Sequence, residues 1–243
     1  MKKQMAILLT VIVAVLLAGC GTVDQAPPPA AAQPMIALTF DDGPGPHTDR
    51  ILDLLELHGG RATFFVLGRN VEAWQDTIIR TVNIGSEVAG HTWTHPELPS
   101  LTNEEITAEI RSTSVAIERL TGVPQRIYRP PYGKLIQRVV NVSRDLGYTI
   151  VNWTFDTFDW RPENQDVNVL FDSIMNAARD GTIVLMHDTI PETAAAMELV
   201  IPALIAEGFQ LVTVTELLYH THGGLTPGRV HGVNWNMPGA IIW

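Results

Sequence analysis

Cysteine is all but missing from this chain. Of 243 residues only Cys20 is one, so no disulfide can form within the molecule and its stability must come from a packed core. A chain of this length can build such a core unaided. Basic runs are missing too. Lys and Arg number 16 against 26 Asp and Glu, a formal charge of −10 at pH 7, which disfavours nucleic acid and other polyanions as partners and leaves neutral substrates as the better fit. Aromatic residues are sparse at 7%, and charged residues make up 17% against 46% hydrophobic. That is globular composition, with enough chain for one large domain. No internal repeat is visible.

The one long apolar run stands at the start. In "MKKQMAILLTVIVAVLLAGC" the basic pair Lys2 and Lys3 precedes an apolar stretch from Met5 to Leu17. The stretch is short for a spanning helix, which needs about 20 apolar residues, and the layout is that of a secretory signal. The ending "LLAGC" resembles a bacterial lipoprotein signal. The resemblance implies that residues 1–19 are cleaved and that Cys20 carries lipid, a use that suits the chain's one thiol. An uncleaved anchor or an ordinary signal is the alternative. Residues 20–34 then form a tether, "CGTVDQAPPPAAAQP", rich in Pro and Ala. Extended at roughly 3.1 Å per residue, it would reach about 40–45 Å. Lipoproteins carry more than one acyl chain, and two or more make anchoring stable. The expected location is extracytoplasmic, on a bacterial cell membrane or envelope.

From Met35 the chain alternates between two kinds of pattern. "MIALTF", "ATFFVLG", "EVAGH", "RIYR", "TIVNWTF", "TIVLMH" and "FQLVTVT" read as strands. Between them "HTDRILDLLELHG", "TNEEITAEIRSTSVAIERLTG", "LIQRVVNVSRDLG", "DVNVLFDSIMNAARDG" and "ETAAAMELVIPALIAEG" read as helices ending at Gly. Thr102 and Glu105 form a capping-box pair, and Pro202 is expected to kink or split the last helix. Repeated alternation argues for an α/β fold of parallel strands joined by crossover helices. About seven such strands suggest a compact barrel over residues 35–219, with a doubly wound open sheet as the alternative. A Gly- and Pro-rich tail, 220–243, breaks the pattern.

Polar residues gather just past the strand ends. Asp41 and Asp42 follow the first, His91 and His95 the third, Arg129 and Tyr132 the fourth, Asp156 and Asp159 the fifth, His187 and Asp188 the sixth. In parallel β/α architectures those ends share one face, the face of active sites. Two neighbouring buried carboxylates repel unless something positive compensates, and a divalent metal does so. His91 and His95 are spaced as a ligand pair if the segment turns helically. One aspartate could join them while the other takes a proton from attacking water.

Together, "TFDDGP", "HTWTH", "RPPYG", "DTFDW" and "LMHD" resemble the five ordered motifs of the polysaccharide deacetylases, the family of chitooligosaccharide, chitin and peptidoglycan N-acetylglucosamine deacetylases. They span Thr39 to Asp188. The resemblance implies a distorted (β/α) barrel with its active site at the C-terminal strand ends. It implies Asp41 as general base, oriented by Arg129, and Asp42, His91 and His95 as ligands of a metal, usually zinc, with cobalt or another divalent ion as alternatives. It implies His187 as general acid tuned by Asp159. The Tyr132 backbone N–H would stabilise the oxyanion, and Trp160 and Leu185 would line the pocket for the acetyl methyl group.

Other residues take blander readings. Asp156 is expected to cap or orient its loop, the alternative being that it replaces Asp159 beside His187. His47 and His58 are expected to face solvent, and Trp153 and Phe155 to be core. His220, His222 and His231 leave a small opening for a second metal site, and Trp235 and Trp243 are expected to pack the tail onto the barrel. The expected function is metal-dependent removal of N-acetyl groups from N-acetylglucosamine residues of an extracytoplasmic polysaccharide, peptidoglycan or a chitin-like oligomer, by a monomer. The alternatives are an esterase of O-acetylated xylan or a similar glycan, and an inactive carbohydrate-binding lipoprotein.

Overall fold

The computed structural model of the chain describes residues 33–232. The signal-like segment, Cys20, most of the tether, and Trp235 and Trp243 lie outside the described residues. The elements are, in order, β1 (Met35–Asp41), α1 (Thr48–His58), β2 (Thr63–Val66), α2 (Gln75–Asn83), β3 (Glu87–Gly90), α3 (Asn103–Thr121), β4 (Ile127–Tyr128), α4 (Gln137–Leu146), β5 (Thr149–Val151), β6 (Phe155–Asp156), α5 (Val167–Ala177), β7 (Thr182–His187), α6 (Pro191–Ala206), β8 (Gln210–Leu211), α7 (Val214–His222) and β9 (Val230–His231).

All strand pairs are parallel, in the order β6-β7-β1-β2-β3-β4-β5-β9, with β8 beside the start of β1. The two faces of β1 show how the sheet is used. Ile36, Leu38 and Phe40 point outward into a core shared with α1, α5 and α6. Burying one such side chain contributes about 1.5–3 kcal/mol. Ala37 points inward and meets Phe65, Val151, Ile183 and Leu185 from strands along the whole sheet. Residues from distant strands can share one interior cluster only if the sheet curls around it, so this is a distorted barrel, as expected. Alternation along β1 and β7 then places Asp41 and His187 on the interior side of their strands' C-terminal ends.

The expected count of about seven strands differs from the nine observed among the described residues, most of them short. "TIVNWTF" is two strands at opposite ends of the ladder, β5 pairing with β4 and β9 and β6 with β7. Asn152 to Thr154 therefore cross from β5, next to the edge strand β9, to the opposite edge strand β6, and Trp153 packs inside. In "FQLVTVT" only Gln210–Leu211 is strand. Thr213 instead caps α7 through a capping box with Glu216. Leu217 and Leu218 of α7 join the interior cluster, so this helix plugs the barrel. The boundary expected at Tyr219 falls inside α7, and β9 of the tail extends the sheet.

Two helices escaped the sequence pattern, α7 for that reason and α2 because two of its three buried residues are threonine (Thr77, Ile78, Thr81). Of the expected kink or split at Pro202 the split does not occur, since α6 runs continuously from Pro191 to Ala206. The Thr102–Glu105 capping box of α3 forms as expected, Glu105 N–H donating to Thr102 Oγ1 at 3.3 Å. Among the described residues no helix is long and apolar enough to cross a membrane.

Candidate active site

Arg129, one residue past β4, is wholly buried in the barrel mouth. Its guanidinium donates to Asp41 Oδ1 (2.7 Å), Thr39 Oγ1 (2.8 Å), Val151 O (3.1 Å) and Asn152 O (3.0 Å), and lies 4.0 Å from the centre of the Phe65 ring. The two carbonyls are those freed where the chain leaves β5. Burial pushes the Asp41 carboxyl up, and the Arg129 charge pulls against it. A fixed cation thus holds one oxygen of Asp41 and leaves the other facing the site.

Asp42 answers why two like charges stand side by side. Successive strand residues point to opposite faces, but Asp42 has φ 70°. That left-handed turn brings both carboxylates to one imidazole. His91 Nε2 lies 3.6 Å from Asp41 Oδ2 and 3.6 Å from Asp42 Oδ1, and His95 Nε2 lies 3.4 Å from Asp42 Oδ1. Asn70 holds the turn, its Nδ2 donating to the carbonyls of Asp42 and Gly43 at 3.2 Å each. Gly43 must be glycine, since a Cβ there would stand 2.3 Å from the Asp188 carboxylate. Asp188 is buried, accepts from Thr48 Oγ1 at 2.6 Å, and is pushed up to about 7 by burial.

The expected helical turn from His91 to His95 does not form. The segment is a loop with Thr92 and His95 both at φ 67°. Left-handed conformations cost about 1–3 kcal/mol each outside glycine and gather at functional sites. Asp42, Thr92, His95 and Tyr132 (φ 60°) all adopt one around this mouth.

Asp42, His91 and His95 suit a divalent metal. One ligand atom from each lies within 4.8 Å of the others. Asp42 Oδ1 is buried with no hydrogen-bond donor in the protein. His91 Nδ1 lies 2.8 Å from Arg129 O. A carbonyl only accepts, so Nδ1 bears the proton and Nε2 keeps its lone pair for a ligand. Burial lowers His91 to about 3, which keeps it neutral. A carboxylate and two imidazoles are a zinc-type donor set with positions to spare.

His187 faces this cluster from the end of β7, its Nε2 4.0 Å from Asp42 Oδ2. Behind it the wholly buried Asp159 accepts from His187 Nδ1 (2.8 Å), His187 N–H (2.8 Å) and Thr193 Oγ1 (2.7 Å). Burial opposes a charge on His187, but the hydrogen bond and charge of Asp159, helped by Asp41 and Asp42, outweigh it and raise the imidazole to about 9. Asp156 orients its loop, accepting from Phe158 N–H at 2.8 Å, and leaves the His187 position to Asp159.

The expected pocket residues are spread more widely. Leu185 is buried on the same face of β7 as His187. The Tyr132 ring stands half-exposed, 4.6 Å from the His95 ring. Trp160 is on the surface at 51% exposure, edge-on to Phe158, with Arg161 over both rings. Asn70, Thr193 and Thr39 support the site without having stood out in the sequence. His47 is half-buried and His58 exposed. His220 lies 3.6 Å from Asp180, and His222 and His231 form an edge-to-face pair. Among the described residues the only three-residue group able to hold a metal is Asp42, His91 and His95.

Comparisons with known proteins place these features in a wider group. A family model described as "Polysaccharide deacetylase" matches residues 29–151, a range that holds Asp41, Asp42, His91, His95 and Arg129 but ends before Asp159 and His187. A peptidoglycan-N-acetylmuramic acid deacetylase of Bacillus subtilis is 39% identical over 186 residues, 76% of this chain. The chain spans only 39% of that relative's length. A structure of the Bacillus subtilis enzyme aligns with TM-score 0.72 and 39% identity, covering 76% of this chain and 90% of that one. A chitooligosaccharide deacetylase of Rhizobium leguminosarum is 40% identical, over 72% of this chain and 88% of that protein. A Bacillus anthracis protein described as a CE4 family pseudoenzyme aligns with TM-score 0.71 and 33% identity, over 76% of this chain and 66% of that one.

Proposed function

The chain belongs to the polysaccharide deacetylase family, and from that premise we propose that it removes N-acetyl groups from N-acetylglucosamine residues of an extracytoplasmic polysaccharide, peptidoglycan above all. The observation behind this reading is the division of labour between the two aspartates. Asp41 is held by Arg129 at 2.7 Å, whereas Asp42 Oδ1 has no protein donor and faces two imidazoles. Asp42, His91 and His95 would hold the metal, zinc in the first instance. When bound, it supplies Lewis acidity, polarising the acetyl carbonyl and making a water acidic enough to react near neutral pH.

The remaining chemistry belongs to the chain. Asp41, oriented by Arg129, takes a proton from the water whose oxygen attacks the carbonyl carbon. As charge grows on the carbonyl oxygen, the Tyr132 backbone N–H donates to it. His187, kept protonated by Asp159, gives its proton to the departing nitrogen as the C–N bond breaks, which an amide requires because its leaving group is poor. Acetate and a free amine result. Leu185 and Trp160 bound the space for the methyl group. The complete set of Asp41, Asp42, His91, His95 and His187 supports an active enzyme rather than an inactive binder.

Acetate release from N-acetylglucosamine oligomers, compared with O-acetylated xylan, tests the reading. Release from the oligomers supports it. Release from xylan alone would make the protein an esterase, and release from neither would make it a binding protein. For location we rely on the segment ending at Cys20. Lipid on that residue would hold the domain beside the wall, so Cys20→Ser should move the protein out of the membrane fraction. A variant that stays membrane-bound with its signal removed would contradict the anchor.

A further inference from the structure

We propose that Glu109, on α3 and outside every motif discussed above, is a positioning residue that sets the metal affinity of the site by holding the His91–His95 loop in its ligating shape. The proposal rests on the metal-centre reading of Asp42, His91 and His95.

The loop's backbone donors show the dependence. His91 N–H donates to Val66 O at 2.8 Å, continuing the sheet. His95 N–H reaches Thr92 Oγ1 at 3.2 Å, within the loop itself. Of the three N–H groups between them, two, Trp93 at 2.7 Å and Thr94 at 2.9 Å, donate to Glu109 Oε2, and Thr94 Oγ1 donates to Glu109 Oε1 at 2.7 Å. Successive N–H groups around a left-handed residue form an anion-binding concavity. Here the chain fills it with its own carboxylate.

The shape being held is an unfavourable one. Thr92 and His95 both have φ 67°, and a β-branched residue such as Thr92 rarely enters that region. On the far side of the loop, Gly68 and Arg69 N–H donate to the carbonyls of Thr92 and Trp93 at 2.9 and 3.3 Å, so the strip is gripped from both edges. The two ligands do not depend on the grip equally. His91 is fixed independently, through its own N–H and through Nδ1 to Arg129 O. His95 follows the Glu109 contacts: its own N–H reaches only Thr92 Oγ1 within the loop, and its ring has no hydrogen bond among those of the described residues. Loss of Glu109 should therefore act through His95.

Chelator-competition titration with Zn²⁺, on the full chain, tests this. Outer-shell partners of metal ligands typically contribute 10–100-fold in affinity, and Glu109→Ala is expected to lose about that much. Glu109→Gln should stay close to wild type, because its amide oxygen can accept both N–H groups and its NH₂ can donate to Thr94 Oγ1. In a His95→Ala background, Glu109→Ala should add little further loss. Glu105→Gln, on the same helix but engaged only with Thr102, should leave zinc affinity unchanged. Unchanged affinity in Glu109→Ala, or a full additional loss on top of His95→Ala, would overturn the proposal. Should the alanine variant not fold, Glu109→Asp decides in the same way, since it keeps the charge but shortens the reach. Failure of the wild-type protein itself to bind zinc would instead remove the metal-centre reading on which the proposal rests.

Discussion

Glu87 opens β3 and His91, beside Asp42, follows its last residue, and at the two ends of this one strand a half-buried acid is treated in opposite ways. At the opening end the Glu87 carboxylate accepts from Thr63 Oγ1 (2.8 Å), Thr215 N–H (3.2 Å) and Thr215 Oγ1, and Thr63 Oγ1 in turn accepts from Val214 N–H (2.8 Å). Burial pushes Glu87 up, and neutral donors offset it. The result is a fastener joining the first turn of α7 to β2 and β3. At the closing end Asp42 has a buried oxygen with no donor, and the backbone around it is left-handed at Asp42, Thr92, His95 and Tyr132. A half-buried acid with its acceptors satisfied holds elements together. A half-buried acid with one oxygen enclosed and short of donors, among imidazoles, is a place for a cation.

The sharpest way to break that contrast is to remove the reacting groups while keeping the metal. Asp41→Asn should lose about 10²–10⁴-fold in kcat and retain stoichiometric zinc, as a general base typically contributes that much. Zinc loss in this variant would make Asp41 a ligand instead. His187→Ala should fall in the same range on an N-acetylated sugar, yet far less on a nitrophenyl acetate, whose leaving group departs unaided. Equal losses on both substrates would sink its assignment as general acid. At limiting zinc, His91→Ala should fail to hold the ion; full stoichiometry at wild-type affinity would remove it from the ligand set.

At the opposite end the expected effect is on stability alone. Glu87→Ala leaves the Thr63 Oγ1, Thr215 N–H and Thr215 Oγ1 donors without their acceptor, a cost of about 1–3 kcal/mol, readable by urea unfolding. Its zinc affinity should match wild type, and a large change in affinity would dissolve the distinction between the two ends. The smallest effect is a displaced pH limb. His187 is raised from 6.5 to about 9, so it is protonated and competent below that value and loses its proton as pH rises through it. The turnover rate should decline on that alkaline side, and Asp159→Asn should move the decline to lower pH. The stability that this pair contributes is fully present below pH 6.5 and is lost as pH rises through about 9.

How far the sequence could be read depended on where each residue makes its bonds. Asp41, Asp42, His91, His95, Arg129, Asp159 and His187 were legible because each follows an apolar strand and has reactive chemistry of its own. Asn70, Glu109 and Thr193 were not. They act on a backbone carbonyl, on backbone N–H groups and on another side chain from elements distant in sequence, and nothing in their local pattern marks that partner. The fold shows the same limit. β1 and β7 are long and apolar, and they read directly. β5 and β6 share one β-rich run that only the tertiary structure divides between the two ends of the strand order. The capping box of α7 was present as Thr213 and Glu216, hidden in a run of β-branched residues that mimics a strand.

The central claim is that a metal held by Asp42, His91 and His95 makes this barrel mouth a deacetylase. The most direct measurement is acetate release from N-acetylglucosamine oligomers by the full chain after chelation, and again after zinc is restored, in wild type and in Asp42→Ala. Activity should vanish on chelation and return with zinc in the wild type only. A chelated wild type working at its full rate, or an Asp42→Ala variant restored as fully as the wild type, would contradict it.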